Sequence, residues 1–229
     1  MITIVLADDH GLVREAVRCY LEQQKDMEVV GELADGLKVI PAIGRLKPGV
    51  LVVSLGLPGL NGFEVTRQVR DRAPETKVVV LSMSPSEDYV VQALRSGASA
   101  YVMKQAKGRH LVRAIRRAMA GRRYVSPPFS ERAVDLWLRA QREPDPYGSL
   151  TNREREVFQL AAEGYSSTAV ASRLGISPRT AESHRGNAMR KLGLTNQLEL
   201  MRYAVGRGFV VLPGDPFRPS DRPRRPSVN

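Results

Sequence analysis

The sequence is short of thiols, of long apolar runs and of basic residues at its start. Cys19 is the only cysteine among 229 residues. An intrachain disulfide is therefore impossible, and a cysteine-rich metal site is excluded. No apolar run reaches the ~18 residues that a membrane helix needs. The first residues, MITIVLADDH, carry neither a basic n-region nor a cleavage-site pattern. These absences point to a cytoplasmic protein with no membrane partner.

What the chain has in excess is positive charge, a net +11. Residues 1–122 hold 18 basic against 13 acidic side chains, residues 123–148 four of each, and residues 149–229 13 against 7. The positive charge is densest in the last region, which suits a polyanionic partner. Hydrophobic residues make up 42%, which is ordinary for a globular protein. The length allows one large domain or two small ones, each with its own core.

Residues 1–122 alternate two patterns. The runs ITIVLA, EVVGEL, VLVV, KVVVL and AYVM read as strands rich in Val and Ile. Segments 12–24, 38–46, 63–72, 87–96 and 109–120 have helical spacing. Five such units predict an α/β domain, a five-stranded doubly wound parallel sheet covered on both faces. Ligand sites in such sheets lie at the C-terminal strand ends, where strand order reverses. Residues 123–148, with prolines 127, 128, 144 and 146, read as a linker with a short helix over 130–142. Trp137 is expected to pack against a neighbouring domain face.

From 149 to 211 the strand signal stops and an all-α, four-helix domain is predicted. Thr151 and Glu154 form a capping-box pattern, opening a helix that Gly164 ends. A second helix fits 167–174, stopped by Gly175. Ser177-Pro178 is an N-cap followed by proline at the first helical position, and this third helix runs to Leu192. A fourth fits 196–207. Residues 212–229, rich in Pro, Arg and Asp, are expected to be disordered.

The second and third helices, joined by LGIS, make a helix-turn-helix candidate. At ~100° per residue, Ala181, Ala188 and Leu192 share one face, flanked by His184 and Arg185. Arg179, Glu182, Ser183, Gly186 and Arg190 point the other way. Arginine can pair with guanine edges, and glutamate can accept from cytosine N4. His184 is read as structural. Arg185 is expected to lay its stem on the core and send its head to a phosphate. Thr180 and Lys191 complete the candidate DNA-binding set.

The segment LTNREREVFQLAAEGYSSTAVASRLGISPRTAESHRGNAMRKLGL resembles the LuxR-type helix-turn-helix of NarL/FixJ-family response regulators. That resemblance implies a transcription regulator that binds double-stranded DNA half-sites as a homodimer, with a sensor kinase or another regulator upstream. It also implies that positions 182, 183 and 186 face the major groove. Residues 1–122 resemble the same family's receiver domain. Asp8 and Asp9 fall where the receiver binds Mg²⁺, and Ser82 where a hydroxyl contacts a phosphoryl group. Tyr101 matches the switch aromatic, and Lys104 the pocket lysine.

In that family, strand three ends on the phosphoacceptor aspartate. Here VLVVSLGLPGLNG puts Ser54 there, and Gly49 stands where an aspartate is common. A serine hydroxyl is a weak nucleophile without an adjacent base. It also cannot give Mg²⁺ a third anionic oxygen. No cofactor is therefore required, and Mg²⁺ binding is expected to be weak. Asp8 and Asp9 either pair with Lys104 in a dry pocket or hold the ion weakly. The expectation is a receiver that works without aspartyl phosphorylation and is not an enzyme. It is permanently competent, driven by a ligand or partner, phosphorylated on Ser54 by a separate kinase, or kept only as a dimerisation scaffold. His10, the one histidine nearby, is read as a helix start. The competing reading is an interaction or phosphotransfer protein that titrates a partner and leaves DNA alone.

Overall fold

The structure is a computed structural model that describes residues 1–139 and 145–210. Trp137's side chain and the tail expected over 212–229 lie outside the described residues. The strands are β1 (Ile2–Ala7), β2 (Met27–Leu33), β3 (Val50–Ser54), β4 (Lys77–Ser82), β5 (Ala100–Met103) and β6 (Tyr124–Val125). They form one parallel sheet in the order β2-β1-β3-β4-β5-β6.

The valine runs are explained by burial on both faces. In β3, Val50 to Val53 are all at most 2% exposed. Ile4, Leu6, Val50 and Val52 pack beneath α1 (Gly11–Glu22) and α5 (Gly108–Met119). Their sequence neighbours Val5, Leu51 and Val53 face the other way. That face is covered by α2 (Val39–Leu46), α3 (Gly62–Arg72) and α4 (Glu87–Ser96). Strand order reverses between β1 and β3, so Asp8 and Ser54 follow from strands that meet at the switch point.

The sheet has six strands, not the five expected. β6 lies inside what reads as the linker. Two residues are too few for a periodic signal, and Arg123 and Ser126-Pro127 flank them with loop chemistry. Backbone demand decides the matter, because the edge of β5 needs partners. Ser126 N–H donates to Tyr101 O at 3.0 Å, and the Ser126 hydroxyl accepts from Met103 N–H at 2.9 Å. The linker helix α6 (Glu131–Arg139) then packs on α4, with Val134 fully buried.

The C-terminal helices are α7 (Asn152–Ala162), α8 (Ser167–Leu174), α9 (Pro178–Leu192) and α10 (Gln197–Gly206). The capping box forms in both directions. Thr151 Oγ1 accepts from Glu154 N–H at 3.2 Å, and Glu154 Oε2 accepts from Thr151 N–H at 2.7 Å. Gly175 and Gly193 close α8 and α9 in the left-handed region, at φ 64 and 68, which explains why both stops are glycine.

The sequence did not foretell that the two domains share a core. Phe63 of the sheet domain packs edge-on against its neighbour Tyr89 and against Phe209, which in turn meets Tyr147 at a tilt and Phe158 edge-on. Leu37, after β2, packs on the α7–α8–α9 core.

Candidate nucleic-acid interface and strand-end pocket

Helix α9 divides as its sequence phase demands. Ala181 and Ala188 are buried and Leu192 is half-buried, while Arg179, Thr180, Glu182, Ser183, Gly186 and Arg190 are exposed. No partner is recorded for Arg179, Glu182 or Ser183 among the described residues. Arg190 donates only to Asn187 on its own helix, at 2.8 Å. A Cβ at Gly186 would meet nothing within 4 Å. The chain's own packing therefore does not require glycine there.

Three residues of the candidate set have internal tasks. The Thr180 hydroxyl lies 2.8 Å from the Ser177 hydroxyl, and its N–H is capped by that same oxygen. Arg185 Nη2 donates to Gln197 Oε1 at 2.7 Å, and Gln197 donates to Ala161 O. The Arg185 head is thus turned to α10, not outward as expected. Lys191 Nζ is 2.7 Å from Glu154 Oε2. A capping carboxylate attracts the nearest cation, and that ties the end of α9 to the start of α7. His184 is half-buried beside the packed face.

The strand ends bring the pocket residues to one rim of the sheet. Asp8 is 4% exposed, Ser54 4% and Ser82 3%. Lys104 Nζ lies 2.6 Å from Asp8 Oδ2. The lysine thus reaches from the end of β5 to the end of β1, past the ends of β3 and β4. Asp8 Oδ1 accepts from His10 N–H at 2.9 Å, and Asp9 Oδ1 lies 2.9 Å from His10 Nδ1. His10 is the N-cap of α1. The Tyr101 ring is fully buried, and its hydroxyl donates to Ser84 O at 2.9 Å. Burial pushes that phenol well above its ordinary range. Phe129 from the linker packs edge-on against it.

Asp8, Asp9 and His10 offer atoms within 4.8 Å of one another. They suit Mg²⁺ poorly. One carboxylate already carries an ammonium, the other an imidazole, and Ser54 adds only a neutral oxygen, whereas Mg²⁺ favours anionic oxygens and water.

Sequence reasoning missed a third set, the polar seam between the domains. Asn61 Nδ2 donates to Gln159 Oε1 at 2.8 Å, and Gly59 N–H to Glu163 Oε1 at 2.9 Å. Arg67 bridges Glu64 and Asn152. Arg155 Nε sits 3.6 Å from Glu64 Oε2, and Arg173 Nη2 is 2.8 Å from Asp35 Oδ2. Gly59 has φ +77, and a Cβ there would lie 2.6 Å from Asp35 Oδ1, so any side chain at this turn after Ser54 would be strained. One signal was available: Arg155, Gln159 and Glu163 recur every four residues, a polar stripe that runs through the stretch holding the buried Val157, Phe158, Leu160, Ala161 and Ala162. The seam uses α7, α8 and the segment after α10. It leaves the outward side of α9 open.

Comparison with known proteins agrees with both halves. Residues 4–116 match the response regulator receiver domain, and residues 148–204 match the bacterial regulatory proteins of the luxR family. The oxygen regulatory protein NreC of Staphylococcus aureus is 36% identical over 213 residues, covering 90% of this chain and 98% of NreC. RcsB from Salmonella enterica serovar Typhimurium, solved bound to the promoter rprA with the phosphomimetic BeF3-, is 28% identical, with a TM-score of 0.52, over 89% of this chain and 98% of that one. A structure of two RcsB dimers bound to two parallel DNAs aligns with a TM-score of 0.54 at 27% identity over 89% and 98%. With a receiver domain, a LuxR-type domain and a full-length relative above 30% identity, the chain belongs to the NarL/FixJ family of DNA-binding response regulators.

Proposed function

We propose that this response regulator reads duplex DNA through the outward side of α9, as a homodimer on paired half-sites, without an acyl phosphate in its receiver. One short helix contacts few base pairs, so twofold pairing supplies the remaining specificity. The RcsB dimers on DNA support that arrangement by likeness. The observation that carries the reading is the exposed set Arg179, Glu182, Ser183, Gly186 and Arg190. It stays accessible while the domains are docked.

Ser54 stands in for the acceptor aspartate. Its alcohol lacks the carboxylate that attacks a phosphoryl donor, and any ester it formed would be inert rather than labile. The Lys104–Asp8 pair occupies the charge such a pocket would otherwise offer. Mg²⁺ is not required. The chain works as a regulator, not an enzyme, in the cytoplasm. The test is selection of bound duplexes from a random pool, repeated on Ser54→Asp. Enrichment of one paired motif by the untreated wild type supports the reading, and an unenriched pool refutes it.

A further inference from the structure

Residues 104–123 hold eight lysines and arginines and no acid. Helix α5 concentrates them. Arg109, Arg113, Arg116 and Arg117 fall within one arc of the helix at ~100° per residue, opposite the buried Leu111, Ala114, Ile115 and Ala118. With Tyr20 of α1, Gln24 just beyond its end, and Arg122, they line an open cleft of about 400 Å³. That volume falls within the roughly 300–1,000 Å³ of small-molecule sites.

The cleft is electrostatically incomplete. Arg116 pairs with Asp26 and Arg117 with Glu131, each at 2.7 Å. Arg113 lies over the Tyr124 ring at 5.8 Å. No carboxylate among the described residues pairs with Arg109, Arg113 or Arg122. Three guanidiniums thus converge on one cleft, each fork shaped for two phosphate oxygens. Like charges so close repel, and a multivalent anion relieves that repulsion.

Position argues against the DNA read by α9 as the source of that anion. Helices α1 and α5 cover one face of the sheet. The helix-turn-helix domain docks on the turns and helices of the opposite face.

We infer that the α1–α5 cleft binds a small polyphosphate anion and so gives the receiver an input apart from its strand-end pocket. The inference rests on the cleft alone and stands or falls independently of the role given to Ser54.

The test is calorimetric titration of the full chain with ATP, with inorganic tripolyphosphate as competitor, at about 0.15 M salt. Three proteins are compared: wild type, Arg109→Gln/Arg113→Gln, and Arg179→Gln/Arg190→Gln. All four substituted residues are exposed, and Arg122→Gln gives an independent third cleft variant. The expected result is saturable binding at one site, displaced by tripolyphosphate. It weakens roughly tenfold or more in the α5 variant, as loss of two charge-assisted contacts implies, and is unchanged in the α9 variant. Absence of saturable binding, or failure of tripolyphosphate to compete, overturns the inference. So does loss in the α9 variant alone. An equal fall in duplex-DNA affinity of the α5 variant also overturns it, because the cleft would then be a DNA-backbone contact.

Discussion

The Lys104 ammonium lies 2.6 Å from the Asp8 carboxylate, and both side chains are at most 10% exposed. A buried acid is costly unless paired, and this lysine supplies the pairing inside the chain. Ser54, buried on the neighbouring strand, adds no charge to be balanced.

Ser54→Asp is therefore expected to destabilise the receiver. It buries a second carboxylate beside a lysine already committed to the first. The cost should be about 1–3 kcal/mol in the absence of metal. Denaturant unfolding with and without Mg²⁺ checks it, and stability should recover as Mg²⁺ is added.

Arg179→Ala and Arg190→Ala should each weaken specific DNA binding by about 1–3 kcal/mol, the scale of one base-edge or phosphate contact. Their melting temperatures should not move, because neither side chain holds another element. Arg185→Ala should instead cost about 1 kcal/mol of stability, having lost its bond to Gln197. Parallel binding and melting curves separate the two kinds of arginine.

Gln159→Ala should loosen the domains from one another. Gln159 is 1% exposed, accepts from Asn61 and donates to Phe209 O at 2.9 Å. Truncation leaves a buried amide and a carbonyl unpaired, at a cost of about 1–3 kcal/mol. Small-angle scattering should report a larger radius. DNA affinity should stay within about 0.5 kcal/mol of wild type, because no contact of the seam uses the exposed side chains of α9.

Docking should also depend on pH through Glu163. Burial raises its pKa above the ordinary 4.5, outweighing help from Gln159, Gly59 N–H and Arg173, with Asp35 adding to the rise. A carboxyl with a raised pKa in the docked state favours docking most when protonated. Its contribution is full below the undocked pKa and fades as pH rises through the docked value. Scattering measured upward from about pH 4 should find the chain expanding, and Glu163→Gln should flatten that response.

The sheet domain was legible because strands buried on both faces must be apolar throughout, so VLVV and KVVVL announce themselves. The helix-turn-helix was legible because Thr151, Ser177, Gly175 and Gly193 mark its ends by local chemistry. β6 was not legible, since Tyr124-Val125 is a strand only because β5 offers an edge. The orientations of Arg185 and Lys191 were also hidden. Helical phase says which way a Cα points, but the partners Gln197 and Glu154 lie on other helices. The seam was hidden for the same reason: Arg155, Gln159 and Glu163 read as a solvated stripe until the turn at Gly59 is laid against them.

The most direct test of the central claim is the affinity of purified, untreated protein for its selected duplex, measured before and after incubation with acetyl phosphate and Mg²⁺. Equal affinity in both states, with no phosphoryl adduct by intact mass, is the predicted result. Binding that is absent at first and strong only after the phosphodonor would contradict the account.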